Sequence, residues 1–97
     1  MMDRMERIHG KLLAEDGAKV LLDDVEGYLG SHPRRDGSRT YFGFFGFPPE
    51  KRKAFDASAT YRLVLDDGRS GAISADVHPS QMPGQLVAEF HVEGSLN

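Results

Sequence analysis

Residues 60–77 have the sequence TYRLVLDDGRSGAISADV, and this segment carries the clearest fold signal in the chain. Apolar side chains recur at every second position on both sides of Asp67-Gly68, a pattern typical of half-buried β-strands. An Asp-Gly pair between two such segments favours a two-residue type I′ turn, because both central residues of that turn need positive φ. A β-hairpin is therefore predicted, and its inward side chains are Tyr61, Leu63, Leu65, Ile73, Ala75 and Val77.

Similar patterns predict further strands at 7–15, 18–30, 39–47 and 85–93. A second Asp-Gly pair, Asp16-Gly17, joins the first two of these strands, and Asp23-Asp24 predicts a bulge in the longer one. Pro48-Pro49 ends the third strand, since proline cannot donate to a ladder. A short helix is expected over 49–55, and loops over 31–38 and 78–84.

This order of elements predicts an all-β fold: one small barrel of OB-like or SH3-like size, built from about six to seven short antiparallel strands. At most one short helix accompanies them. The 97 residues suit a single domain, and we expect 1–6 and 94–97 to be frayed ends.

The composition excludes several classes of function. The chain has no cysteine, so it has neither disulfides nor thiolate chemistry, and a reducing cytoplasm is the expected compartment. The first ten residues mix charges with methionines and do not resemble a signal peptide. No apolar run approaches the roughly 18 residues that span a bilayer, so no membrane partner is expected.

Catalytic and metal-binding patterns are absent from the sequence. Residues 68–71, GRSG, lack the spacing of a nucleophile elbow. His78 and His91 fall on different strands and are expected more than 10 Å apart, too far for one ion. We therefore expect no enzymatic activity, no catalytic residue, no metal site and no cofactor.

The aromatic strand 39–47, RTYFGFFGF, is the candidate binding element. Alternation turns Tyr41, Phe45 and Phe47 to one face, and Phe42 and Phe44 to the other. Positive charge concentrates around this strand: residues 31–55 carry a net charge of +4, whereas the rest of the chain carries −7. The predicted binding residues are Arg34, Arg35, Arg39, Phe42, Phe44, Lys51, Arg52 and Lys53.

Residues 42–47, FGFFGF, resemble the aromatic strand of RNA-recognition motifs, and cold-shock barrels carry a comparable strand. The resemblance implies that Phe42 and Phe44 stack on bases while basic residues nearby hold phosphates. Thr40-Tyr41 stands where that motif has a basic residue and glycine, and no second aromatic motif is present. The alternative is that both faces of the strand are buried, with Phe55 covering the outer one.

A second resemblance is to PilZ barrels, which bind cyclic di-GMP. Arg35 and Arg39 match their R-x-x-x-R motif, and the resemblance implies that these guanidinium groups hold phosphates or guanine edges. The second motif of that family is not met by residues 67–71, DGRSG.

We therefore interpret the chain as a small non-enzymatic binding or interaction module. Its expected working surface is the strand 39–47 with the adjacent basic loop, and its expected partner is another protein or a second copy of itself. The alternative is a barrel that binds single-stranded nucleic acid or nucleotide phosphates with the same residues.

Overall fold

The computed structural model describes residues 5–55 and 59–97, and they form a closed antiparallel β-barrel. The predicted small all-β barrel is thereby confirmed. Its six strands and one short 3₁₀ helix are β1 Glu6–Ala14, β2 Val20–Pro33, β3 Arg39–Phe47, the 3₁₀ helix Pro49–Ala54, β4 Thr60–Leu65, β5 Ser70–Pro79 and β6 Leu86–Glu93.

The barrel consists of two three-stranded meanders. Around the barrel the strand order is β1-β2-β3-β6-β5-β4, and β4 pairs with β1 to close it. Consecutive strands within β1–β3 and within β4–β6 are therefore neighbours, and the halves meet along two seams, β3–β6 and β1–β4. Because β4 pairs with β1, each of the six described strands has a partner on both sides. An unpaired edge strand is a common site of aggregation, and closure removes it.

The hairpin between β4 and β5 exists, but its turn is not the predicted type I′. Gly68 has φ of 96°, whereas no residue other than glycine has positive φ in the described part of the chain. The Gly68 N–H donates to the Leu65 carbonyl at 3.0 Å, and the Leu65 N–H donates to the Arg69 carbonyl at 2.8 Å. This is the longer alternative: a type I turn followed by a left-handed glycine.

The same chemistry recurs at two other hairpins. In each Asp-Gly turn the aspartate Oδ1 accepts the backbone N–H two residues later, as Asp36 does from Ser38 at 2.9 Å. Gly37 has φ of 90°, and the Arg34 N–H closes this turn on the Ser38 carbonyl at 2.7 Å. Much of the expected loop 31–38 is therefore a hairpin, and β2 extends to Pro33.

The predicted bulge in β2 is confirmed. Between the pairs Gly10–Val25 and Leu12–Leu22, β2 supplies Asp23-Asp24 where β1 supplies a single residue. The extra residue adds local twist, which helps a small sheet to curve into a closed barrel.

The barrel interior is filled by the inward side chains of all six strands, as expected for a barrel of this size. The largest fully buried ones are Phe45, Phe90, Leu12, Leu63, Ile73 and Val25. Gly43 is buried beside these side chains, and a larger residue does not fit there, because a Cβ would approach the Phe90 ring to 2.6 Å. Phe55, just after the 3₁₀ helix, also joins this core, with its ring 4.7 Å from that of Phe47.

The tail 94–97, expected to be frayed, is bonded to the barrel. The backbone N–H and carbonyl of Asn97 both pair with Ser70, and Leu96 is buried. Residues 1–4 lie outside the described part of the chain, so the expected frayed start can be compared with the structure only at residues 5 and 6. Of these, Glu6 is already the first residue of β1. No helix in the described ranges is long and apolar enough to span a bilayer.

Candidate binding surface

Phe42 and Phe44 both point outward from β3, as the alternation predicts. Phe44 is 41% exposed, and Phe42 is half-buried. The alternative in which Phe55 covers them is wrong, because Phe55 packs inward against Phe45, Phe47 and Tyr61. The outer face of β3 therefore keeps an accessible ring.

The neighbouring strand β2 adds two rings to this face. Tyr28 pairs with Phe44 in the ladder; their ring centroids are 5.4 Å apart, and Tyr28 is 39% exposed. His32 stacks on Phe42 at 4.6 Å with an interplanar angle of 18°. These four side chains, Tyr28, His32, Phe42 and Phe44, form what we call the outer aromatic face.

Glycine makes room for part of this packing. Gly30 lies between Tyr28 and His32 on β2, opposite Phe42. A Cβ at Gly30 would collide with the Met5 sulfur and approach the Phe42 ring to 2.9 Å. Met5 and Phe42 therefore lie over the bare backbone of Gly30, which explains why Phe42 is less exposed than Phe44.

The six predicted basic residues do not form one patch. Arg34 and Arg35 lie at the turn between β2 and β3, and Arg39 is the first residue of β3. The other three, Lys51, Arg52 and Lys53, lie on the 3₁₀ helix beyond the far end of β3. The eight steps along β3 from Arg39 to Phe47 span about 27 Å at roughly 3.4 Å per residue and keep the two groups apart. The six basic residues are close in the sequence, which suggested a single basic surface. The extended strand β3 instead holds them at opposite ends.

Two of the arginines are held in place by hydroxyl groups. Arg34 Nε donates to Thr40 Oγ1 at 2.5 Å, and Arg39 Nε donates to Ser31 Oγ at 2.9 Å. Because Thr40 pairs with His32, on the strand face that carries Phe42, the Arg34 guanidinium lies at the end of the outer aromatic face. Both contacts use Nε. Within residues 5–55 and 59–97 the outer nitrogens of these two guanidinium groups make no further hydrogen bond, which leaves them for bidentate recognition of an anion.

Asp36 lies in the same turn. The hydroxyl and then the N–H of Ser38 donate to its carboxylate and lower its pKa, so that it stays ionised near neutral pH. Its negative charge offsets part of the positive charge of the three arginines, and the local field of this turn is weaker than the arginine count alone implies.

Charged residues of opposite sign flank the outer aromatic face. Arg7 on β1 pairs with Tyr28, and Glu89 on β6 pairs with Phe44. A shallow groove of about 430 Å³ lies over the paired strands β1 and β2 and is lined by Arg7, His9, Glu26 and Tyr28, among others. Neither Arg7 nor Glu89 was among the binding residues predicted from the sequence. Each comes beside an aromatic ring only through strand pairing, Arg7 across β1–β2 and Glu89 across the β3–β6 seam.

His9 forms a second polar cluster that sequence reasoning missed. Its Nδ1 lies 2.6 Å from Asp66 Oδ2, and its Nε2 lies 2.6 Å from Asp24 Oδ1. The hydrogen bonds to Asp66 and then to Asp24 raise the pKa of the His9 imidazole above its ordinary value. The hairpin predicted at Asp16-Gly17 was a signal that could have indicated the contact with Asp24, since it pairs β1 with β2. The contact with Asp66 had no such signal, because it is made across the β1–β4 seam.

The remaining histidines do not converge. The β5–β6 register pairs His78 with Val87 and Ser74 with His91. His78 and His91 consequently sit four rungs apart, about 13 Å along the ladder. No group of three or more potential ligands is placed to hold a metal ion within residues 5–55 and 59–97.

The arrangement thus offers ring stacking, apolar contact and charged hydrogen bonding on an open surface of a closed barrel. Comparisons with known proteins place no further constraint on it: no protein-family model, no curated protein and no solved structure matches this chain, and the two resemblances noted in its sequence do not extend to a family match.

Proposed function

We propose that this chain is a non-enzymatic interaction module that binds another protein through the outer aromatic face. The observation that carries the proposal is the exposure of Tyr28 and Phe44, 39% and 41%, side by side on a closed barrel. Exposed aromatic groups in contact with one another mark interaction sites more often than isolated apolar side chains do.

The surroundings of these rings favour a protein partner. Protein interfaces combine aromatic side chains and arginine at the centre with a polar rim. Here Arg7 and Glu89 flank the rings with opposite charges, and Arg34 lies at one end through its hydrogen bond to Thr40. The cysteine-free sequence favours a reducing compartment such as the cytoplasm as the place where this partner is met.

The proposal is tested by comparing proteins crosslinked in cells to the wild-type chain and to Phe44→Ala. Val20→Ala is the matched control, because Val20 is 50% exposed but lies outside the outer aromatic face. We expect one or more proteins to be recovered with the wild type and the control and lost with Phe44→Ala. Equal recovery with all three chains would contradict the proposal.

Single-stranded nucleic acid is the second candidate partner. The observation that favours it is the His32–Phe42 stack, with the Arg34 fork at the end of the same face. Bases stack on exposed rings while guanidinium groups hold phosphates, and each stacked base contributes about 1–3 kcal/mol. Glu89 beside Phe44 opposes this candidate, because a carboxylate repels the phosphate chain.

A mixed-sequence single-stranded oligonucleotide titrated against the labelled protein tests this candidate. We expect amide shifts at residues 28–44 that weaken as salt rises, and about a tenfold loss of affinity in Phe42→Ala. The Lys51–Lys53 amides serve as an internal control and should not move, since they lie beyond the far end of β3. Absent or salt-insensitive shifts would exclude the candidate.

A further inference from the structure

One rung of the barrel carries an ordered series of charges. Four adjacent strands contribute Arg7, Tyr28, Phe44 and Glu89, each paired with the next in the ladder. The series therefore runs from basic, through two aromatic rings, to acidic over three strand spacings, about 14 Å. All four side chains belong to exposed residues.

The charges at the two ends are weakly engaged within the chain. In the described ranges Arg7 takes part in none of the ion pairs, and Glu89 takes part in one, with His78 Nε2 at 3.8 Å. Neither end of the rung is therefore strongly neutralised by an internal partner, and both are available to an external one.

The geometry points to a second copy of this chain as the partner that fits the rung, an inference that rests on the binding surface proposed above. A twofold axis parallel to the strands, between Tyr28 and Phe44, reverses the series in the second copy. Arg7 then faces the partner's Glu89, and Glu89 faces the partner's Arg7. Between these two ion pairs, Tyr28 lies against the partner's Phe44. Such a contact is isologous, since the same patch is used by both copies.

The neighbouring rungs are compatible with the same axis. On one side Gly46 would face the partner's Glu26, so the Glu26 carboxylates of the two copies do not meet. A Cβ at Gly46 would have only the Gln85 Oε1 and the Leu86 carbonyl within 4 Å, so this position is open. On the other side Phe42 would face the partner's Gly30 and the Met5 that lies over it, which sets apolar groups against each other.

The size of the surface sets the strength of this contact. At 39% and 41% exposure, two rings of roughly 200 Å² expose about 160 Å² together. Stable interfaces bury about 800 Å² per partner. The dimer is therefore weak and reversible, and its register is determined by the charge pairs. It forms at high local concentration and weakens with salt.

Sedimentation velocity over about 10 µM to 1 mM, at low and moderate salt, tests the inference. We expect the wild-type mass to rise toward that of a dimer, less so at higher salt. Arg7→Glu alone places two carboxylates together, and Glu89→Arg alone places two guanidinium groups together, so each is expected to weaken self-association by about tenfold or more. Lys11→Glu, an exposed site elsewhere on β1 with the same change in charge, should leave it unchanged.

The decisive measurement is a mixture of the two charge-reversed chains. A heterodimer of Arg7→Glu with Glu89→Arg has two attractive pairs, so mixing should restore the association that each variant lacks by itself. A wild type that stays monomeric throughout, or a mixture that does not recover, overturns the inference. So does self-association that survives Phe44→Ala.

Failure of this inference and failure of the proposed function are distinguishable. If the wild type is monomeric but Phe44→Ala still loses crosslinked proteins in cells, the face binds a different protein and only the second copy is excluded. If an oligonucleotide shifts the same amides in a monomeric chain, the occupant is a nucleic acid. If the mass rises and the mixture recovers, the partner is the chain itself.

Discussion

Phe44 and Phe45 are neighbours in the sequence and opposites in the structure. Phe45 is fully buried and contacts the rings of Phe47, Phe55 and Phe90, whereas Phe44 is 41% exposed beside Tyr28. The pleat of β3 alone separates these environments. The inner rings therefore stabilise the barrel, whereas the outer rings contribute little to its stability and are accessible to a binding partner.

The largest expected effect is on the inner side. Phe45→Ala leaves a cavity among three aromatic neighbours and should lower the free energy of unfolding by about 3–5 kcal/mol. Phe44→Ala, on the outer side, should lower it by about 1 kcal/mol or less, because much of that ring already contacts water. Urea denaturation of both variants measures the difference. Equal losses in the two variants would show that the outer face of β3 contributes as much to stability as the inner face does.

A methyl group added to each face gives the next largest effect. In Gly43→Ala the new Cβ meets the Phe90 ring at 2.6 Å and collides with the Tyr28 carbonyl, so we expect a loss of about 1–3 kcal/mol. Gly46→Ala is the matched control on the outer side of the same strand, since the nearest atom is the end of the Gln85 side chain at 3.1 Å. Thermal unfolding should shift strongly for the first variant and little for the second. A tolerated Gly43→Ala would show that the core is looser than its packing indicates.

The smallest effect concerns the charges outside the barrel. Hydrogen bonds to Asp66 and Asp24 raise the pKa of His9 above its ordinary 6.5. Their contribution to stability is therefore fully present below pH 6.5, and it is lost as pH rises through the higher pKa of the folded state. Because His9 is exposed, the change should be small.

The urea midpoint measured between pH 6 and pH 9 checks this expectation. Wild type should lose stability toward pH 9 by more than His9→Gln does. His91→Gln, an exposed histidine without such a pair of carboxylates among the described residues, is the control and should follow the wild type. A parallel pH dependence in wild type and His9→Gln would exclude the His9 cluster as the cause.

The fold class was predictable because it depends on local signals. Period-2 alternation located the strands, Asp16-Gly17 and Asp67-Gly68 located two hairpins, and Asp23-Asp24 located the bulge. The third hairpin was missed at Asp36-Gly37 because the surrounding proline and charges suggested an irregular loop. The same aspartate-to-backbone hydrogen bond operates in all three turns, so the dipeptide was the better signal.

The candidate site was predictable only in part. Alternation correctly turned Phe42 and Phe44 outward, since orientation follows from position along one strand. The division of the basic residues between two ends of β3 follows from its extended length, which was ignored when they were grouped by sequence distance. Contacts across the two seams had no local signal at all, and they place Glu89 beside Phe44 and Asp66 beside His9.

The two-meander architecture has a kinetic consequence. Short hairpins bring together residues that are close in sequence and form within microseconds, whereas the seams pair residues about 50 positions apart, such as Gly10 with Leu65 and Phe42 with His91. Loop closure over that span must be completed before those pairs contribute stability. We therefore expect each meander to form early and the docking of one on the other to limit the folding rate. The link between β3 and β4, which carries the Phe55 ring into the core, is then the segment whose length and stiffness set how fast the barrel closes.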